Sequence, residues 1–453
     1  MPLLGCIADD ITGATDLAGA LVRRGVATTQ VFGVPEGPLD PDPDAVVVAL
    51  KTRTAPPAEA RELALRACRW LRSQGVQHVY LKYCSTFDSV PEGNIGPVTD
   101  ALSEELGAAG AVHCPAYPAN GRTLYLGHLF VEGALLSESG MADHPLTPMR
   151  DPNLLRVLGE QTAAAVGLLP FDVVDRGPDA SAERLRGLAA DGVRHVIADA
   201  VRDADLDTLA AAAGDRPLNA GGAPFGAAWG AALARAAGVA GGAAPVPPAG
   251  GSAVLAGSAS RATARQVAAF ARRHPVLRLD ARELAADGGT VGEALAWAGR
   301  RLGRGPVLIA ADTAPEAVAR AQRALGRARA AAVVEEAMGR LAVGLTALGV
   351  RRLVVAGGET SGAVAEALGV DRVRIGPEIC TGVPWTFSAE PHVALAFKSG
   401  NFGGDDFFLD AFARLAEPGE PGEREPGERG EPAAGEAGRA ERAGDGTVEG
   451  DRD

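Results

Sequence analysis

Lysine is nearly missing from this chain. Lys and Arg together number 44, yet only Lys51, Lys82 and Lys398 are lysines, so arginine carries the general surface charge. A lysine kept in such a background marks a place where a compact ammonium fits and a planar guanidinium does not. Apolar runs of the roughly 18–20 residues that cross a bilayer are also missing. The N-terminal Met1-Pro2-Leu3-Leu4-Gly5-Cys6 has neither the basic region nor the cleavage site of an export signal, so a cytoplasmic location is expected. The five cysteines (Cys6, Cys68, Cys84, Cys114, Cys380) are odd in number and form no C-x-x-C pair. That argues against a disulfide framework or a structural zinc site. Basic excess is missing as well. The formal charge is −13, of which residues 417–453, with twelve acids and five arginines, hold −7 and the remaining chain −6. A nucleic-acid partner held by a general basic field is therefore excluded, as is a membrane partner.

What is present is a 453-residue chain, 47% hydrophobic and 22% charged, long enough for two domains. Short β-branched runs alternate with Ala/Leu/Arg helices, which predicts an α/β fold of two domains built on mainly parallel sheets. The expected strands are 3–8, 45–50, 78–83, 193–198, 253–256, 307–311 and 352–356. The expected helices are 16–24, 58–72, 263–272, 328–348 and 363–368. Residues 239–252 collapse to Gly, Ala and Pro and read as a linker between domains at 1–238 and 253–416. From 417 to 453 a Pro-Gly-Glu pattern without apolar anchors reads as a disordered acidic tail.

Polar residues at the carboxyl ends of parallel strands come under first suspicion. The first strand delivers Asp9-Asp10, one of which can cap the next helix while the other orients a hydroxyl, accepts a proton or holds Mg2+ through water. The next delivers Lys51 and Arg53, and a third delivers Lys82 with Ser85, Thr86 and Asp88 close behind. Cations on successive strand ends suit a carboxylate or phosphate. Asn120-Gly121-Arg122-Thr123 is a further polar turn, and His128 nearby reads as an ordinary hydrogen-bonded histidine. In the second half Gly357-Gly358-Glu359-Thr360-Ser361-Gly362 stands between a strand and a helix, where backbone N–H groups can meet phosphate. Ala256-Gly257-Ser258-Ala259-Ser260 and Lys398-Ser399-Gly400-Asn401-Phe402-Gly403 are two more small-residue turns after strands. Three such turns in one domain describe a nucleotide phosphate pocket better than any one alone. None is a Walker A or G-x-G-x-x-G motif.

These segments, with Gly5-Cys6-Ile7-Ala8-Asp9-Asp10-Ile11-Thr12-Gly13-Ala14-Thr15-Asp16 and Lys82-Tyr83-Cys84-Ser85-Thr86-Phe87-Asp88-Ser89, resemble the four-carbon acid sugar kinase family in order from about residue 4 to 410. Around Lys82 and Lys398 the wording is most like the 3-oxo-tetronate 4-kinase branch. The resemblance implies a sugar-acid-binding N-terminal domain, a nucleotide-binding C-terminal domain, and Mg2+-ATP as phosphoryl donor to the C4 hydroxyl. It implies nucleotide contacts at Ser258, Gly357, Gly358, Glu359, Thr360, Ser361, Lys398, Gly400 and Gly403. Substrate contacts would be Arg53, Lys82, Asp88, Asn120 and Arg122, with Asp10 or Asp9 in the catalytic role. No metal ligand is assigned. The partners implied are the two small molecules, and a homo-oligomer is compatible with them. Ile11 stands where the family often has Phe, residues 219–224 only loosely match its Gly-Ser-rich segment, and Ala310-Ala311-Asp312-Thr313 lacks its paired serines. Domain closure about 239–252 is expected to join the halves over the substrates. A threonate or erythronate kinase is the alternative within the family. Outside it stand an NAD-dependent sugar-acid dehydrogenase, disfavoured by the missing dinucleotide motif, and a non-catalytic sugar-binding protein.

Overall fold

A computed structural model describes residues 1–39, 43–143, 147–239, 245–286 and 289–416. The expected tail 417–453 lies outside the described residues, and so do 240–244 of the expected linker. Eighteen strands are described. In the N-terminal half they are β1 (Leu4–Ala8), β2 (Thr28–Phe32), β3 (Ala45–Ala49), β4 (His78–Lys82), β5 (Ala111–Cys114), β6 (Arg122–Tyr125), β7 (His128–Val131), β8 (Ala134–Leu135), β9 (Ala165–Leu169), β10 (Val193–Ala198) and β11 (Leu218–Gly221). The C-terminal half has β12 (Gly251–Ala256), β13 (Val276–Leu279), β14 (Val307–Ala311), β15 (Val350–Ala356), β16 (Arg372–Cys380), β17 (Val383–Ser388) and β18 (Val393–Lys398).

β1 and β3 are buried at every position. Each is an unbroken apolar run, as expected of parallel strands covered by helices on both faces. β2-β3-β1-β4-β11-β5-β10-β9 forms an all-parallel sheet, and β13-β14-β12-β15-β18 a second one. Several boundaries moved from expectation. The first helix spans Ile11–Arg23, because Asp10 caps it by accepting from Gly13 N. The helix after β15 begins at Gly358, so the glycine motif is its first turn. Gly251 and Ser252, expected in the linker, open β12.

One departure is larger. β16 and β17 form an antiparallel hairpin that continues β18, and β16 pairs antiparallel with β2 through Arg372–Val31, Val373–Gln30 and Arg374–Thr29. The two domains therefore share one mixed sheet of 15 strands, and residues Met1–Glu417 form one compact unit. The halves are already joined before any closure. β3 and β15 are locally opposed in direction, five steps apart. Sheet twist of roughly 20–25° per step accumulates to roughly 100–125° between them, which lets their carboxyl ends approach each other. Helix Ile11–Arg23 fills the junction, packing on helix Gly358–Ala367 and on β16 and β17.

Candidate functional site

The carboxyl ends of β1, β3 and β4 bring Asp9, Asp10, Arg53 and Lys82 together. Arg53 donates from Nε and Nη2 to Asp9 (2.9 and 2.8 Å) and from Nη2 to Asp10 Oδ1 (2.5 Å). Asp10 also accepts from Gly13 N (3.0 Å) and from Thr12 Oγ1 (2.6 Å). One aspartate thus caps the helix and the other is gripped by a guanidinium fork. Burial pushes the Asp9 carboxyl above the ordinary range despite its bonds to Arg53. For Asp10 burial acts upward too, but Arg53, Lys82, Thr12 and Gly13 together hold it below that range. Arg53, expected to face the sugar acid, spends its fork on these two side chains.

Lys82 is buried and donates from Nζ to Tyr83 O (2.8 Å). After β4 the chain turns through left-handed Phe87 (φ 66°) and Asp88 (φ 40°). Such backbone costs about 1–3 kcal/mol per residue and persists where the surroundings hold it. Here Thr86 Oγ1 donates to Asp88 Oδ1 (2.6 Å). Cys84, close to Asp88, Arg53 and Lys82, is pushed up to about 11 by burial, an inert thiol; all five cysteines are free.

Asp16 was not singled out from the sequence, although it closes the Asp9–Asp16 motif. It sits on helix Ile11–Arg23, buried and within electrostatic reach of Lys82. It accepts from Tyr117 Oη (3.2 Å), and burial pushes its carboxyl up. Tyr117 in turn exchanges backbone hydrogen bonds with Arg122. Arg122 Nε is buried with no partner among the described residues. Asn120, half-buried, ends the short turn Pro118–Asn120 just before it. His128 is satisfied by Leu126 O and Asn153, as expected.

The three small-residue turns of the second half meet. Gly257 N and Ser258 N donate to Ala356 O, and Gly357 N donates to Lys398 O. Gly357 has φ 130°, and a Cβ on Gly257 or Gly357 would collide with Thr360 Oγ1. A Cβ on Gly400 would likewise strike Ser258 Oγ. Beside these turns opens a cavity of about 350 Å³ lined by Ser258, Gly357, Gly358, Glu359 and Thr360. Its apolar wall is Ala317, Val318, Ala321 and Val334, and Asp312, Thr313, Arg327 and Glu335 add polar groups that sequence reasoning missed. Asp312 and Thr313 line it without the expected serines.

Ser361 Oγ turns away to Gly357 O (2.7 Å), and Gln266 holds the carbonyls of Phe402, Gly403 and Gly404 (3.0 Å each). Lys398 is fully buried and outside the cavity lining, donating to Thr263 Oγ1, Ser399 O and Gly400 O at 3.3, 2.8 and 2.7 Å. It builds the turn from beneath and does not line the cavity. Burial lowers Lys398 to about 8 from its ordinary 10.5. Between those values the unfolded chain holds a proton that the folded chain has released, so stability rises with pH across that window. The gain, up to about 3 kcal/mol, should appear in urea midpoints between pH about 8 and about 10 and vanish in Lys398→Met. An unchanged slope in the variant would assign the rise to other groups.

The two clusters adjoin. An ideal Cβ on Gly362 would lie 3.2 Å from Ile11 Cδ1, and Arg23 at the far end of that helix pairs with Glu378. Comparison with known proteins agrees with this division. Residues 4–229 match a sugar-binding N-terminal domain, and residues 253–408 a nucleotide-binding C-terminal domain. The chain is 52% identical over 430 residues to the 3-oxo-tetronate kinase of Cupriavidus necator, covering 91% of this chain and 97% of that one. It is also 52% identical to the 3-oxo-tetronate kinase of Pseudomonas fluorescens, covering 92% and 97%. A solved Salmonella typhimurium LT2 structure superposes with a TM-score of 0.84 at 40% identity, covering 91% and 99%. No helix among the described residues is long and apolar enough to cross a membrane. The chain belongs to the four-carbon acid sugar kinase family and is a kinase, a phosphotransferase acting on a hydroxyl group.

Proposed function

We propose that this chain transfers the γ-phosphoryl group of Mg2+-ATP to the C4 hydroxyl of 3-oxo-tetronate, giving the 4-phosphate. In this reading residues 1–238 hold the sugar acid, 253–416 hold the nucleotide and 239–252 connect them. The substrate is the one named for the relatives above. The reading rests above all on helix Ile11–Arg23, whose cap lies in the carboxylate cluster while Ile11 touches Gly362 beside the glycine turn.

Phosphoryl transfer asks the protein for positioning, charge neutralisation and exclusion of water. The free N–H groups of Gly358–Thr360, at a helix N-terminus, suit the phosphates, with Ser258 and Thr360 beside them. Adenine would lie on the Ala317–Ala321 and Val334 wall. Mg2+ needs only one or two carboxylates in addition to phosphate oxygens. Glu335 and Glu359 both line the cavity, and the Glu335 carboxyl is pushed up by burial and by Glu359, a crowding that a divalent cation relieves. These two would hold the ion, which when bound neutralises phosphate charge. Arg122, with an unspent Nε, and Lys82 would meet the acid's carboxylate, since Arg53 is committed. Asp10 orients the C4 hydroxyl. Asp9, the carboxylate pushed up, takes its proton. Asp88 and Asn120 remain partners for the other oxygens.

A coupled ADP-release assay with Mg2+-ATP and 3-oxo-tetronate, both threonates and both erythronates tests this. A kcat/KM on the oxo acid at least about tenfold above the others is expected. Preference for a threonate or erythronate would overturn the substrate and keep ATP. Silence with all five, from folded protein, would overturn the reading.

A further inference from the structure

Lys51 is the one lysine that neither cluster absorbs. It follows β3 in the sugar-side half, yet it reaches the other half. An ideal Cβ on Gly362 would lie 2.8 Å from Lys51 Cε and 2.9 Å from its Nζ. Gly362 belongs to the first turns of helix Gly358–Ala367, whose start lines the nucleotide cavity. Lys82 and Lys398 donate to protein oxygens, whereas Lys51 is exposed and has no hydrogen bond or ion pair among the described residues.

A solvated surface lysine explains the exposure but not the rest. This chain covers its surface with arginine. At Gly362 the space left by a missing side chain admits a narrow ammonium, where a guanidinium fork would press on helix backbone. An unpaired ammonium held beside a phosphate turn is a ready point charge for phosphate.

We propose that Lys51 contacts the terminal phosphoryl group of the bound nucleotide, as a cation supplied by the sugar-side half to the nucleotide-side half. The glycine turn would hold the inner phosphates. Lys51, arriving from the acceptor's side, meets the γ-phosphoryl. During transfer the bond between the γ-phosphorus and the β–γ bridging oxygen breaks, and a bond from that phosphorus to the acceptor oxygen forms. ADP leaves with the electron pair, and the acceptor's proton passes to Asp9. Lys51 keeps all its protons and stabilises charge on the moving group. It also makes the nucleotide site complete only where the two halves adjoin. This inference rests on the Gly357–Ser361 turn holding the nucleotide.

The test compares ADP and a non-hydrolysable ATP analogue by calorimetry, together with kcat, in full-length protein. Lys51→Met should lower kcat by about 10²–10³. It should weaken the analogue about tenfold while leaving ADP within about threefold. Lys51→Arg should recover part of the loss, and Gly362→Ala, which crowds the ammonium aside, should move the analogue-to-ADP ratio in the same direction. Full kcat in Lys51→Met, or equal weakening of both nucleotides, overturns the proposal. Gly358→Val separates the two layers. If it leaves ADP affinity at the wild-type value, the nucleotide lies elsewhere and the underlying site falls with it. If ADP affinity collapses there but Lys51→Met keeps both kcat and the ratio, only the role of Lys51 falls.

Discussion

Arg53→Ala should lose about 3–5 kcal/mol of stability near neutral pH and nearly all activity. The guanidinium makes three bonds to Asp9 and Asp10, whose side chains are only 11% and 25% exposed. Without it two adjacent, largely buried carboxylates keep only Lys82 as a nearby countercharge among the described residues. Breaking such a pair is far more costly than the pair's own net contribution, because the charge left behind is neither solvated nor matched.

The pH dependence separates this cause from a general packing defect. In the native protein Asp10 is held below its ordinary value, so its contribution is present above that value and lost as pH falls through the lowered one. In the variant both carboxyls are pushed up by burial with no fork to oppose it. The folded variant then takes up protons earlier than its unfolded chain, and its stability recovers as pH falls. The gap between native and variant urea midpoints should therefore narrow from pH about 7.5 to about 5, and the acid limb of kcat/KM should move upward. A gap of constant size would refute the ion-pair account. Arg53→Lys should recover charge but not the two-pronged hold on Asp9, and so give an intermediate result.

Gly358→Val should abolish nucleotide binding, by about a hundredfold or more, with stability within about 0.5 kcal/mol. A Cβ there meets no protein atom within 4 Å, and Gly358 itself lines the cavity. The fold has room for valine; the phosphates do not. Gly257→Ala is the contrast. Its methyl would collide with Thr360 Oγ1, so it should destabilise the turn as well as impair binding. Isothermal titration with ADP and thermal melting on both variants give opposite signatures. Loss of folding in Gly358→Val, or retained ADP affinity, would mean the turn does not face the nucleotide.

The legible part of this protein was local. β10 and β14 lie where their apolar runs end, and β1, β3 and β4 fall within a residue of expectation, because four to six buried residues in a row leave few alternatives. The three glycine turns were recognisable because only backbone without side chains can pack as they do. Less legible were starts set by side-chain capping. Thr12-Gly13 reads as a turn, yet the Asp10 carboxylate draws both into the helix.

The sequence by itself determined the class of fold, the polar strand ends and the small-residue turns, which follow from periodicity and from motifs a few residues long, and the kinase family followed from the resemblance those motifs carry. Tertiary structure alone decided how those pieces are used. It turned Arg53 from a substrate arm into the clasp of Asp9 and Asp10, sank Lys398 beneath the turn it builds, and set Asp16 against Tyr117 and Lys82. It paired β2 with β16, some 340 residues apart, and brought Lys51 to Gly362 across that seam. Local pattern records which residues are buried, but not which buried partner a side chain meets. That choice depends on sheet order and accumulated twist, which no window of sequence contains.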